Sequence, residues 1–183
     1  MTDLSICDQI KEQVRYFNKQ ILNPFTLSFA GRPYSPYAII RHVGRASGRV
    51  YQTPVVAMRT HAGFTSPMPY GDHVDWYRNL EAAGEGVIAS GGRAYRIGDF
   101  EVVDAKVALS DFPTWLHPLL DKSETEHYLR ARRLSETPEP PEVYERIIAD
   151  YPITNAIPIF VGVVVGVIVL LLVIRAFARK MRD

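Results

Sequence analysis

From Ile153 to Ile174 the chain carries no charged side chain, and Arg175, Arg179, Lys180 and Arg182 follow at once. At ~1.5 Å per residue a helix over this run is roughly 33 Å long, close to the ~30 Å hydrocarbon core of a bilayer. A helix buried in a soluble core seldom stays apolar on every face. The run therefore predicts a transmembrane helix over residues 153–174, with a basic tail over 175–183. Pro158 falls near its start, where a helix tolerates proline. Gly162 and Gly166 form a Gly-xxx-Gly spacing that lets two such helices approach closely.

A chain of 183 residues with one such segment has room for one globular domain, expected over 1–134, and a linker with a short helix over 135–152. The balance of 21 basic against 20 acidic residues gives a net charge of +1, which argues against a nucleic-acid partner. Cys7 is the single cysteine, so no intrachain disulfide forms, and a reducing compartment suits it. The start is polar, without the apolar core of a secretory signal. The basic tail marks its own end as cytoplasmic, but export of a folded domain without a leader is the harder event. The expected placement is a single-pass membrane protein, anchored by its tail, with its domain in the cytoplasm.

Cys7, Ile10, Val14, Phe17 and Ile21 recur at helical spacing, which makes Cys7 a buried thiol on an apolar stripe. Asn23-Pro24 marks the end of that helix or a kink in it. From Tyr37 the pattern changes to short β-branched and aromatic runs: 37–43, 50–58, 63–68, 86–90 and 94–97. Turn residues separate them, and Gly91-Gly92 between Ser90 and Arg93 is a hairpin signal. Asp72–Ala83 reads as a helix capped by Asp72. Asp111 and Ser123 read as two further caps, the second opening a helix that ends on Arg130, Arg132 and Arg133. Ser135–Pro141 is a stiff polar linker, and Glu142–Tyr151 a short amphipathic helix. Closely spaced strands with few helices between them predict an α+β fold built on a small antiparallel barrel.

Arg41-His-Val-Gly-Arg-Ala-Ser-Gly-Arg49 sets three arginines and a serine around two glycines in the turn between two strands. Glycine lets successive N–H groups point one way, which suits an anion. Arg45, Ser47 and Arg49 then supply charge-assisted hydrogen bonds to a phosphate; a solvated basic hairpin is the plainer alternative. Phosphate-loop and dinucleotide fingerprints are missing. His42, His61, His73, His117 and His127 show no metal-ligand spacing, and no metal is expected.

Three blocks in order, Arg41–Arg49, Thr53-Pro-Val-Val56 and Pro69-Tyr-Gly-Asp-His-Val-Asp-Trp-Tyr-Arg-Asn79, resemble the deazaflavin-dependent nitroreductase and quinone reductase family, from Asn23 to about Leu134. The family's Gly-(Arg/Lys)-x-Ser-Gly turn is matched by Gly44 to Gly48. Its Tyr-Gly turn and Asp-Trp-x-x-Asn helix start are matched by Tyr70, Gly71, Asp75, Trp76 and Asn79. The resemblance implies a split β-barrel of the flavin-binding type that holds the deazaflavin coenzyme F-420. Arg45, Ser47, Gly48 and Arg49 would grip the coenzyme's phosphate and acidic tail. Thr53, Pro54 and Val55 would line the ring, and Gly71, Trp76 and Asn79 would close the pocket with a helix N-terminus near the anion. Tyr70 is the candidate proton donor, a structural hydrogen bond being its other reading. The loop Ser66–Gly71 carries no basic residue, whereas the family often has one there, and FMN is the alternative coenzyme.

The implied activity is hydride transfer from reduced F-420 to a lipophilic electron acceptor, such as a quinone or nitroaromatic compound, beside membrane lipid. The alternatives are an FMN-dependent reductase on the same barrel, or a non-catalytic membrane protein that binds flavin, haem or lipid. A homodimer is left open.

Overall fold

The computed structural model describes residues 23–123 and 125–152. Helix α1 (Asn23–Phe29) precedes strands β1 (Tyr37–Val43), β2 (Val50–Val56), β3 (Met58–Arg59) and β4 (Gly63–Pro67). Helix α2 (Asp75–Ala83) leads to β5 (Glu85–Ser90) and the long β6 (Arg93–Asp104). A short α3 (Ala105–Ala108), two 3-10 turns, α4 (His117–Lys122), β7 (His127–Arg133) and α5 (Pro141–Ala149) complete the order. Among the described residues no helix is long and apolar enough to cross a membrane. The run Ile153–Ile174, the basic tail and the stripe Cys7–Ile21 all lie outside them.

The seven strands form one antiparallel sheet, β2-β1-β5-β6-β7-β4-β3. Its two outermost strands are neighbours in sequence, parted only by Ala57. The sheet thus returns on itself as a barrel: one bent strand pairs with β1 through its first half and with β4 through its second. Closure removes most of the exposed edge that an open sheet would present. Strand β6 makes the other large bend, an irregularity between Gly98 and Glu101 where it exchanges β5 for β7. The β5–β6 hairpin closes on Gly91-Gly92, with Ser90 opposite Arg93, as its sequence predicts.

Period-two alternation decides what each strand buries. Ala38 and Ile40 of β1, Val55, Phe64, Ile88, Tyr95, Ile97, Leu129 and Ala131 fill the barrel, and α2 adds Tyr77 and Leu80. Ile39, on the opposite face of β1, is covered by Leu27 of α1, Ala30 just after it and Ile147 of α5. β1 therefore buries both faces, which is why its sequence reads as an apolar run. A third cluster, Val103, Ala108, Phe112 and Tyr128, lies beneath α3 and α4.

Four local expectations are corrected. Helix α2 starts at Asp75 with Val74 as its cap residue, and Asp72 makes no capping bond. Asp111 does not cap a helix; its Oδ2 accepts from Thr65 Oγ1 at 2.6 Å and Arg130 Nε at 2.8 Å. Ser123 closes α4, its Oγ 2.6 Å from Leu120 O, and opens no helix. The segment ending on Arg130, Arg132 and Arg133 is strand β7, since Leu129 and Ala131 alternate inward between Tyr128, Arg130 and Arg132. The chain is helical from Asn23 through Phe29, and the helix expected before Asn23-Pro24 lies outside the described residues.

Candidate functional site

The basic turn Gly44–Arg49 joins β1 to β2. Gly44 N–H donates to Arg49 O and Gly48 N–H to Gly44 O, both at 2.8 Å. Gly48 has φ +65 and open space where a Cβ would stand, the left-handed conformation that glycine adopts without strain. The turn is tied to α2 by Arg45. Its backbone N–H and its Nη1 both donate to Asn79 Oδ1, at 3.1 and 2.9 Å, and its Nη2 pairs with Asp75 Oδ1 at 3.0 Å. Arg45 is thus already committed within the protein. Arg49 has no ion pair among the described residues, and the N–H groups of Ala46 and Ser47 donate to no protein acceptor there. The donors of the turn without a protein acceptor among the described residues are therefore the Arg49 guanidinium and these two amides, with Ser47 Oγ held 3.1 Å from Tyr51 OH.

Behind the turn lies a polar chain that sequence reasoning missed. His42 occupies an inward position of β1, in step with Ala38 and Ile40, and is 5% exposed. Its Nδ1 lies 3.1 Å from Asn79 Nδ2 and its Nε2 3.1 Å from Thr53 Oγ1, while its ring stacks on Tyr51 at 5.9 Å. Burial pushes the imidazole down to about 4, against a smaller opposing pull from Asp75, so the ring is neutral at pH 7. The sequence signal was a histidine at an apolar position of an alternating strand; a search for metal spacing passes over it.

Thr53, Pro54 and Val55 do not share one face. Thr53 and Val55 are paired with Ile40 and Ala38 and turn inward, whereas Pro54, opposite Ile39, turns outward. The Gly44–Arg49 bond also sets the phase of the ladder, making Ile40/Thr53 and Ala38/Val55 hydrogen-bonded pairs. The backbone groups of Thr53 and Val55 are therefore committed to β1. Those of Gln52 and Val56 and the carbonyl of Pro54 face the other edge of β2, where proline's missing N–H leaves nothing unpaired.

Asn79 is buried at the centre of the chain, whereas Trp76 packs on the barrel core and meets Tyr77 edge-on at 6.3 Å. Gly71 closes the turn after β4, its N–H donating to Met68 O. Tyr70 beside it is about two-fifths exposed. No described hydrogen bond or ring contact links Gly71 or Trp76 to the Arg45–Asn79–His42–Thr53 chain. Two concavities lie elsewhere: one of about 680 Å³ between Arg93 and the Ser135–Pro141 segment, another of about 410 Å³ beside Leu120 and Tyr128. The turn residues from Arg45 to Val50 are exposed.

No family model matches the chain, and no curated protein matches it. Among solved structures it is similar to the heme storage protein HutZ from Vibrio cholerae, at 9% identity over 68% of this chain and 89% of that one, with TM-score 0.42. A structure described as a domain-swapped dimer is 14% identical over 65% and 96%, with TM-score 0.39. An F420-H2 dependent reductase (FDR-A) is 16% identical over 51% and 91%, with TM-score 0.32. At scores this low the likeness carries no functional weight.

Proposed function

We propose that the domain binds a planar redox coenzyme with an anionic tail, F-420 in the first place and FMN in the second, and reduces a lipophilic acceptor such as a quinone. One observation carries this reading. A set of uncommitted donors in the turn, Arg49 with the amides of Ala46 and Ser47, stands two residues from Tyr51, whose ring is partly exposed and stacked on His42, with Thr53 next on the same face of β2. Charged and backbone donors suit a phosphate; an aromatic face and a hydroxyl suit a flat heterocycle. The donor set fits the anion without Arg45.

When bound, the coenzyme supplies a hydride to the acceptor. Arg49 and the turn amides hold the anion, and Arg45 acts through Asp75 and Asn79 by fixing the turn. Tyr51 would lie against the ring and Thr53 would offer its hydroxyl to the ring's polar edge. A quinone that accepts a hydride also takes one proton, for which Tyr70 is the candidate source. The apolar run 153–174, read as a tether, confines the domain to the surface where a lipid-soluble acceptor is dissolved. The domain's cytoplasmic placement and a pairing of two chains through Gly162 and Gly166 belong to the same proposal.

The test is a spectroscopic titration of the full chain in detergent with each coenzyme, followed by reduced coenzyme and menadione. Saturable binding of F-420 with coenzyme oxidation supports the proposal. FMN binding alone transfers it to the alternative coenzyme, and binding without turnover on any acceptor makes the domain a carrier.

A further inference from the structure

The hydrogen-bond chain behind the basic turn has only one consistent direction, and that direction reaches the ligand face. Arginine has donors and no acceptor. Asn79 Oδ1, which receives both Arg45 N–H and Nη1, must therefore be the amide oxygen, and Nδ2 is the amide nitrogen. Nδ2 lies 3.1 Å from His42 Nδ1, so the imidazole accepts there and carries its proton on Nε2. Nε2 in turn lies 3.1 Å from Thr53 Oγ1, which must accept. The hydroxyl proton of Thr53 is then turned away from His42, and among the described residues no acceptor meets it.

We propose that His42 is a positioning residue: held as the Nε2–H tautomer by Asn79, it turns the Thr53 hydroxyl proton toward a ligand acceptor atom. This rests on the reading of the site given above and narrows it. A ring that presents a carbonyl oxygen or an unprotonated nitrogen at Thr53 is favoured over one that presents an N–H there, which would reach only the second lone pair and leave the hydroxyl proton unpaired. A neutral hydroxyl can spend its proton on any neighbour, so such a preference needs a partner that donates to its oxygen and leaves the proton for the ligand. His42 supplies that partner from a position shielded by the Tyr51 ring. The same chain begins at Arg45, so the turn that meets the anion and the hydroxyl that meets the ring are set by one network.

Two measurements test this on the full chain in detergent. The first is the long-range proton–nitrogen NMR spectrum of the histidines without ligand. It is expected to show His42 protonated on Nε2 alone at neutral pH, and an Nδ1–H tautomer overturns the inference. The second is the dissociation constant of oxidised F-420 and of FMN for a small set of variants. Thr53→Val is expected to weaken binding about tenfold, the weight of one well-placed hydrogen bond. Thr53→Ser retains affinity. His42→Gln, whose amide can accept from Asn79 and donate to Thr53, also retains it, whereas His42→Phe loses affinity, and adding Thr53→Val to it loses little more. Equal losses in the Gln and Phe variants, or fully additive losses in the double variant, overturn the inference. Wild type that binds neither coenzyme overturns the reading of the site, while the tautomer is still scored in the same sample.

Discussion

Asn79 Oδ1 receives two hydrogen bonds from Arg45, one from its backbone N–H and one from its guanidinium, and so fastens the β1–β2 turn to helix α2. Asn79 is buried, and its amide nitrogen is spoken for by His42. Asn79→Ala strands the Arg45 amide and the His42 Nδ1 together. The expected loss of unfolding free energy is about 2–3 kcal/mol, from unsatisfied buried groups more than from lost bonds, and urea denaturation measures it. Asn79→Asp places a carboxylate against His42 Nδ1 and is expected to raise the imidazole pKa, read by NMR titration.

The pH dependence of stability follows from His42. Its folded pKa is depressed to about 4 from the ordinary 6.5, chiefly by burial. Above pH 6.5 the ring is neutral in both states. As pH falls from 6.5 towards 4 the unfolded chain binds a proton that the folded chain refuses, so stability declines through that window and levels off below it. The full effect is about 3 kcal/mol. His42→Gln is expected to flatten this part of the curve, measured by denaturant midpoints between pH 4 and 7.

The barrel was legible where alternation or turn chemistry was clean. Strand β1 lies over Tyr37–Val43 as expected, and Gly91-Gly92 makes its hairpin. Strand β7 was misread because three arginines after a Ser-x-x-Glu pattern resemble the end of a helix. The alternation of Leu129 and Ala131 with Arg130 and Arg132 was the stronger signal. Asp111 looked like a cap because local spacing cannot reveal Thr65, a partner 46 residues away in sequence. At the site, the exposed donors of the turn were visible in the sequence. The roles of His42 and Asp75 were not, since they depend on β1 and α2 meeting in space.

Gly63 stands on β4 opposite Arg132 of β7. A Cβ there would lie 1.9 Å from Ala131 O, a backbone atom that cannot move aside. Gly63→Ala is expected to cost more than about 3 kcal/mol or to prevent folding. Gly48→Ala meets no atom and bears only the strain of its positive φ, about 1 kcal/mol. Thermal denaturation of the two variants side by side separates steric from conformational cost.

Asp111 ties the α3–α4 segment to the sheet through Thr65, itself 1% exposed, and Arg130. Asp111→Ala leaves a buried hydroxyl and a half-buried guanidinium without their shared acceptor. A loss of about 2–3 kcal/mol is expected in urea denaturation. Asp111→Asn keeps an acceptor for Thr65 but not the charge for Arg130, and about half that loss is expected.

Arg45 and Arg49 look equivalent in the sequence and are expected to separate in experiment. Arg45 is committed to Asn79 and Asp75, whereas Arg49 has no charged partner among the described residues. Arg49→Gln is expected to leave the unfolding midpoint unchanged and to weaken binding of an anionic coenzyme at least tenfold, since a charge-assisted bond to phosphate is worth roughly 1.5–3 kcal/mol. Arg45→Gln is expected to do the reverse. It gives up a solvent-exposed ion pair of little value, and with it a bond to buried Asn79, for about 1 kcal/mol of stability. Its effect on the dissociation constant is expected to stay within about threefold, because the turn remains held through the Arg45 backbone N–H. Parallel denaturation and coenzyme titration of the two variants measure both quantities. If the losses fall on the opposite residues, Arg45 leaves Asp75 to meet the anion, and the turn is an inducible clamp instead of a preformed one.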